Sequence, residues 1–115
     1  MLKTERLRRS EDFAKVYKQG RSVAGRQLVL YWLTNSTEQN RLGISAGKKL
    51  GGAVVRNRVK RLMREGFRSL SLNVRAGHDL VIIARSVAVG ANFSEVRREL
   101  EALLKRQRLW QEIDE

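Results

Sequence analysis

Residues 28–33, Leu-Val-Leu-Tyr-Trp-Leu, constrain the fold more than any other stretch. The run is strand length and far short of the roughly 20 apolar residues that cross a bilayer as a helix. In a strand, alternate side chains point to opposite faces. Leu28, Leu30 and Trp32 then point one way, and Val29, Tyr31 and Leu33 the other. Both faces are apolar, so both need cover. The strand is read over 26–34, with a turn at 35–40 and a second strand at 41–46. Leu42, Ile44 and Ala46 share one face of that second strand, while Gly43 and Ser45 leave the other nearly bare. The two strands are expected to pair as an antiparallel hairpin.

Helical spacing marks three further segments. Residues 10–19 place Phe13, Val16 and Tyr17 on one face, with Ser10 as the expected N-cap and Gly20 as the stop. Residues 53–70 carry Val55, Val59, Leu62, Met63, Gly66 and Leu70 on one stripe. Residues 92–113 carry Val96, Leu100, Leu103, Leu104 and Trp110. A more continuously apolar strand at 78–86 is expected to be central. The order helix, strands, helix, strand, helix predicts an α+β layer, helices packed on a small sheet. No repeat, linker or proline interrupts the 115 residues, which suit one domain. There is no cysteine, and the charged N-terminus lacks the apolar stretch of a signal peptide, so the expected location is the cytoplasm.

The 53–70 helix also carries the chain's charge. The net charge is +12, and between Asn40 and Asn92 eleven Lys or Arg face only two acids, Glu65 and Asp79. Opposite the apolar stripe lie Asn57, Lys60, Arg61, Arg64 and Arg68, with Arg56 and Arg58 flanking. A merely solvated face mixes signs, because like charges four residues apart repel by a few tenths of a kcal/mol. A bound polyanion would relieve that repulsion. Charge alone leaves RNA, DNA and anionic lipid open. The loop at 47–52, Gly-Lys-Lys-Leu-Gly-Gly, reads as flexible and basic; it is neither a P-loop nor a dinucleotide fingerprint.

A second constellation is aromatic: Phe13, Tyr17 and Tyr31. Flat side chains beside a cationic groove bind single-stranded nucleic acid by stacking on bases. Spacing alone favours a core role for Phe13 and Tyr17. The two-sided apolarity of 28–33 beside the bare Gly43/Ser45 face argues instead for a cleft. Catalytic groups are scarce. The chain has one histidine and no clustered carboxylates with metal or acid–base spacing. His78–Asp79 reads as a turn feature and not as a dyad.

Three blocks in order, residues 11–33, 41–68 and 78–86, resemble the protein subunit of bacterial ribonuclease P; they cover 60 of the 115 residues. The most specific is RNRVKRLMREGFR (56–68) behind the Gly-Lys-Lys loop. The resemblance implies a mixed four-stranded sheet with three main helices and a left-handed β-α-β crossover through the basic helix, against the usual right-handed rule. It also implies a division of labour. A catalytic RNA, using Mg2+, cleaves the 5′ leader from precursor tRNA, and the protein binds that RNA and the single-stranded leader. Phe13, Tyr17, Val29 and Tyr31 match positions of the leader cleft, with Lys60 and Arg64 on its cationic edge. Lys48, Lys49, Arg56, Asn57, Arg58, Arg61 and Arg68 match the surface that meets the catalytic RNA. No catalytic residue, protein-held metal, small-molecule cofactor or membrane partner is implied. Asp114 and Glu115 match no motif. The rival readings are a general or ribosomal RNA-binding module and a membrane-surface protein using the basic amphipathic helix.

Overall fold

In the computed structural model, which describes residues 4–113, the strand His78–Ala84 lies at the centre of a five-stranded mixed sheet. The strands are β1 (Glu5–Arg6), β2 (Arg21–Ala24), β3 (Leu28–Thr34), β4 (Arg41–Ser45) and β5 (His78–Ala84), in the order β1-β4-β5-β3-β2. The helices are α1 (Ser10–Gln19), α2 (Ala53–Leu70) and α3 (Phe93–Arg106). Leu80, Val81 and Ile82 of β5 are fully buried on alternating faces, which is what its unbroken apolar run requires. β5 is antiparallel to β3 and parallel to β4. Parallel neighbours cannot be joined by a tight turn. The chain therefore leaves the sheet after β4 and returns through α2.

This arrangement corrects two expectations. Residues 26–34 and 41–46 do not form a hairpin, because β5 lies between them. Gly43 and Ser45 give β4 little side chain to pack against Tyr31, whereas Val81 and Ile83 of β5 fill that row. The sheet has five strands where four were expected. β1 is two residues long, and β2 carries one buried apolar residue, Val23; neither leaves a periodic signal.

Both faces of β3 are covered, as its composition demands. On the inner face Leu28, Leu30, Leu80 and Ile82 pack against Val59, Met63, Phe67 and Leu70 of α2 and Val96, Leu100, Leu103 and Leu104 of α3. Phe67 is fully buried although the expected stripe omitted it, while Val55 and Leu62 are only half-buried. On the outer face α1 lays Val16 over Val81, with Leu7, Phe13, Tyr31, Leu33 and Ile83 around them. Gly20 ends α1 by close approach: a Cβ there would stand 2.5 Å from the Trp32 carbonyl oxygen.

Helix ends shifted by a few residues. α1 begins at Ser10 itself, after Arg9, without a side-chain cap. α3 opens with a reciprocal capping box between Asn92 and Glu95. It stops at Arg106, not 113, because Gln107 and Arg108 turn the chain and Leu109 N–H bonds back to the Leu104 carbonyl. Trp110 therefore lies outside the helix, bridged to Val74. The apolar spacing ran on past a terminus that no glycine or proline announces.

Two acids pin the layers. The Glu99 carboxylate on α3 accepts from the backbone N–H groups of Gln27 and Leu28 at 2.9 and 2.6 Å, fixing the start of β3. Asp79, 4% exposed, accepts from Arg41 Nε at 2.8 Å, from a second nitrogen of the same guanidinium, and from Asn35 at 3.0 Å. Arg41 also reaches Asp12 on α1 at 3.5 Å. Burial pushes the Asp79 carboxyl up, but the hydrogen bonds from Arg41 and Asn35 and the nearby positive charge outweigh it and hold it below its ordinary value. The stability this contributes is therefore complete above about pH 4 and is lost as pH falls through the lowered folded value. Asp79→Asn is expected to lower stability at pH 7 by about 1–3 kcal/mol. In urea melts between pH 3 and 7, the loss should shrink toward acid pH; an equal loss at every pH would overturn this account.

Candidate nucleic-acid interface

Strand register sets out the outer sheet face in rows. Gly43, Val81, Tyr31 and Ser22 form one row, and Ser45, Ile83, Val29 and Ala24 the next. α1 covers the first row. The Phe13 ring occupies the space above Gly43, where a Cβ would come within 2.6 Å of it. Tyr17 meets Tyr31 edge-on with ring centroids 5.0 Å apart, and Phe13 stands 6.5 Å from Tyr17. The second row is only partly covered, Ile83 packing at the edge of the Leu7–Val16–Val81 cluster. Ser45, Ile83 and Val29 are half-buried and Ala24 is exposed, so the row forms a floor beside the aromatic wall.

Four expected residues, Phe13, Tyr17, Val29 and Tyr31, thus share one face. Their exposure divides the core reading from the cleft reading. Phe13 and Tyr31 are half-buried and packed on the core, while Tyr17 is 40% exposed. Burial, and then the neighbouring Tyr31, pushes the Tyr17 hydroxyl up from its ordinary value. It stays neutral near pH 7 and presents no negative charge to a polyanion.

The cationic residues lie mainly on α2. Arg61, Arg64 and Arg68 line a groove of about 640 Å³ between α2 and the β1–β4 edge. Leu42, Ile44 and Phe67 contribute apolar surface to it, and Phe13 reaches it from the outer face. Arg61, Arg64 and Arg68 thereby share a groove with Phe13, whereas Lys60 is half-buried on α2 and does not line it. Among the described residues, no ion-pair or hydrogen-bond partner engages the side chains of Lys60, Arg61, Arg64 or Arg68. On α3, by contrast, Arg97 and Lys105 both pair with Glu101.

The N-terminal part of α2 is less uniform. Asn57 is exposed; Arg56 is half-buried, with its Nε buried and unpartnered. Arg58, expected on the surface that meets the catalytic RNA, is exposed and also tied to the fold. Its guanidinium donates to the carbonyls of Val89 and Ala91 at 3.1 and 3.0 Å, clamping α2 to the turn at Ser86–Gly90. Lys48 and Lys49 are exposed on a short 3-10 turn, Lys48–Leu50, so the loop is more ordered than its glycines suggested. No side chain caps the start of α2 at Gly52, and no acid occupies its first turn, which leaves the positive end of the helix dipole open beside these lysines.

Some contributors had no sequence signal. Ile83 on the floor looked like one more apolar residue of β5. Arg41 and Asp79, which dock α1 and so place the wall, are far apart in sequence. His78 and Asp79 serve opposite faces: His78 packs edge-on against Trp32, while Asp79 is held by Arg41 and Asn35. No group of three or more His, Cys, Asp or Glu converges among the described residues.

Comparison with known proteins fits this geometry. The family model described as Ribonuclease P matches residues 1–108. The ribonuclease P protein component of Caldanaerobacter subterraneus subsp. tengcongensis is 43% identical over 110 residues, covering 96% of this chain and 95% of the relative. That of an Exiguobacterium species is 50% identical over 111 residues, covering 96% of each. The solved structure of the Staphylococcus aureus RNase P protein superposes with a TM-score of 0.85 at 39% identity, covering 95% of this chain and all of the other.

Gly43→Ala is expected to force the Phe13 ring aside and destabilise the protein by about 1–3 kcal/mol. Thermal denaturation checks the magnitude. Ring-proton shifts of Phe13 and Tyr17 should move most; unmoved rings would show that α1 is not seated on Gly43.

Proposed function

The chain belongs to the ribonuclease P protein family, and from that premise we propose how its two surfaces share the work of removing a tRNA leader. It is the protein subunit of an endoribonuclease that matures the 5′ end of tRNA, and its partner is RNA. In our reading the partners are the catalytic ribonuclease P RNA and the single-stranded 5′ leader of precursor tRNA. The leader lies on the floor of Val29 and Ile83, with bases against Phe13, Tyr17 and Tyr31. Lys60 and Arg64 meet its phosphates. Lys48, Lys49, Arg56, Asn57, Arg58, Arg61 and Arg68 face the catalytic RNA, and Arg58 also holds α2 in place through the Val89 and Ala91 carbonyls. A left-handed sense for the β4–α2–β5 crossover, as the family resemblance implies, belongs to this reading, as does a single RNA-binding domain.

One observation carries the proposal: a half-exposed aromatic wall beside a partly covered strip of sheet, its Phe13 sharing a groove with arginines that have no internal partner. Stacking contributes about 1–3 kcal/mol per base without reading sequence, which suits leaders of varied composition. Free cations offset repulsion between two RNAs, so the complex needs less added magnesium. In this reading magnesium belongs to the RNA. No helix among the described residues is long and apolar enough to cross a membrane. A lipid-binding role is disfavoured because Val59, Met63 and Phe67 of α2 are spent on the core.

The decisive assay is cleavage of precursor tRNA by a bacterial ribonuclease P RNA at low magnesium, with and without the protein. Correct 5′ maturation is expected only with it; equal binding to unrelated RNAs and no rescue would favour a general RNA-binding module. Arg64→Ala and Tyr17→Ala should each weaken precursor binding about five- to thirtyfold and leave mature tRNA binding unchanged. Equal loss for both tRNAs would remove the leader from this cleft.

A further inference from the structure

A second basic pocket lies at the opposite edge of the sheet, beside β2 and β3. Its volume is about 460 Å³, and Arg21 of β2, Arg106 at the end of α3 and Arg108 just beyond it line it together. Trp32, Thr34 and His78 complete the sheet side of the wall. Register places Arg21 opposite Trp32 and Thr34 opposite His78, on the inner face, so this pocket opens away from the aromatic wall. Three arginines from two distant parts of the chain meet here and no carboxylate lines the space. None of the three guanidiniums has a hydrogen-bond or ion-pair partner among the described residues. That differs from the neighbouring turn of α3, where Lys105 is paired with Glu101 at 2.8 Å.

Two details make the pocket more than a solvated edge. Gln107 accepts a hydrogen bond from the Trp32 indole N–H at 3.0 Å through its Oε1, which leaves its amide nitrogen as a neutral donor beside the cations. Arg108 adopts φ +59°, the left-handed conformation that ends the helix and allows Leu109 N–H to reach the Leu104 carbonyl at 2.9 Å. Glycine is the residue favoured at such a position. Here the chain carries an arginine instead, in a left-handed conformation, lining the space that Arg21 and Arg106 also line. A conformation of this kind is a reason to look for a ligand.

We propose that this pocket is a phosphate site, and that the group it takes is a backbone phosphodiester of the RNA partner. Guanidinium forks match phosphate oxygens in pairs, and the Gln107 amide can serve a remaining oxygen. The phosphodiester source rests on the RNA-binding reading above; the anion chemistry does not. The site would give RNA a third point of contact, beyond the leader cleft and the exposed face of α2.

The conformation of Arg108 offers an unusual test, because Arg108→Gly should relax the backbone while deleting the ligand group. Thermal melts of the full chain in sodium chloride and in sodium phosphate at equal ionic strength give the first reading. Ribonuclease P RNA affinity against salt concentration gives the second. Arg108→Gly is expected to melt higher than the parent in chloride, yet gain less from phosphate. Its plot of log affinity against log salt should be shallower by about 0.7–0.9, one phosphate contact. Arg21→Ser, at an exposed strand edge, should lose the same phosphate effect and the same slope without the gain in chloride. A higher melting point with phosphate response and slope both unchanged would reduce Arg108 to a helix cap and overturn the site. A lost phosphate response with an unchanged slope would overturn the RNA source and leave a site for free phosphate. Failure of the parent chain to bind the RNA would defeat the functional reading itself, and the phosphate melts would still decide the pocket.

Discussion

Asp79 is a charge placed where the sheet can least tolerate an unpaired one. It is the second residue of the central strand, nearly buried, and the donors around it have to be in place for it to stay ionised there. Arg41 supplies two donors from β4, Asn35 a third from the turn after β3. The same guanidinium extends to Asp12, so α1 is coupled to the sheet through one side chain. The desolvation of a lone carboxylate would cost more than the remaining contacts could offset. The ion pair therefore supports the strand order: with β5 between β3 and β4, Asn35 and Arg41 reach one carboxylate. The aromatic wall inherits its position from that choice.

Three acids of the α3 region are similarly occupied. Glu95 closes the capping box of α3, Glu99 secures the start of β3, and Glu101 pairs with two cations on its own helix. Negative charge is spent inside the structure, on helix ends and backbone donors. On α2, Arg61, Arg64 and Arg68 are left outward and unpaired. The net charge of +12 is thus no average over the surface but a division between groups that hold the fold and groups that wait for a polyanion.

Periodicity revealed the elements that bury a regular stripe. β3, β5, α2 and α3 were all legible, because Leu28, Leu30, Ile82, Met63 and Leu100 recur at the spacing each geometry demands. Pairing order was not legible. Alternation in β3 and β4 says which side chains share a face but not which strand lies between them, and the Arg41–Asp79 contact spans segments with no common motif. Short polar strands such as Glu5–Arg6 leave no pattern at all. For the candidate site, the aromatic residues and the α2 cations could be named from type and spacing. The sequence could not separate Arg58, tied to two carbonyls, from Arg61, tied to none. It could not foresee that Arg21 and Arg108 line one pocket.

The crossover between β4 and β5 has a consequence for how the chain emerges from a ribosome. β2 and β3 can pair as soon as both exist, since a short turn joins them. β4 cannot: its main partner is β5, and α2 must be synthesised first. Until His78–Ala84 appears, one edge of β3 and one edge of β4 stay open together, with Leu30 and Leu42 uncovered. Such edges invite premature β3–β4 pairing, the hairpin that the sequence itself suggests. Completion of β5 has to insert a strand between two that are already made, and the long-range closure this needs is slow compared with helix formation. During that interval the nascent chain carries the cations of α2 outward, and their mutual repulsion between neighbouring chains is the available guard against aggregation.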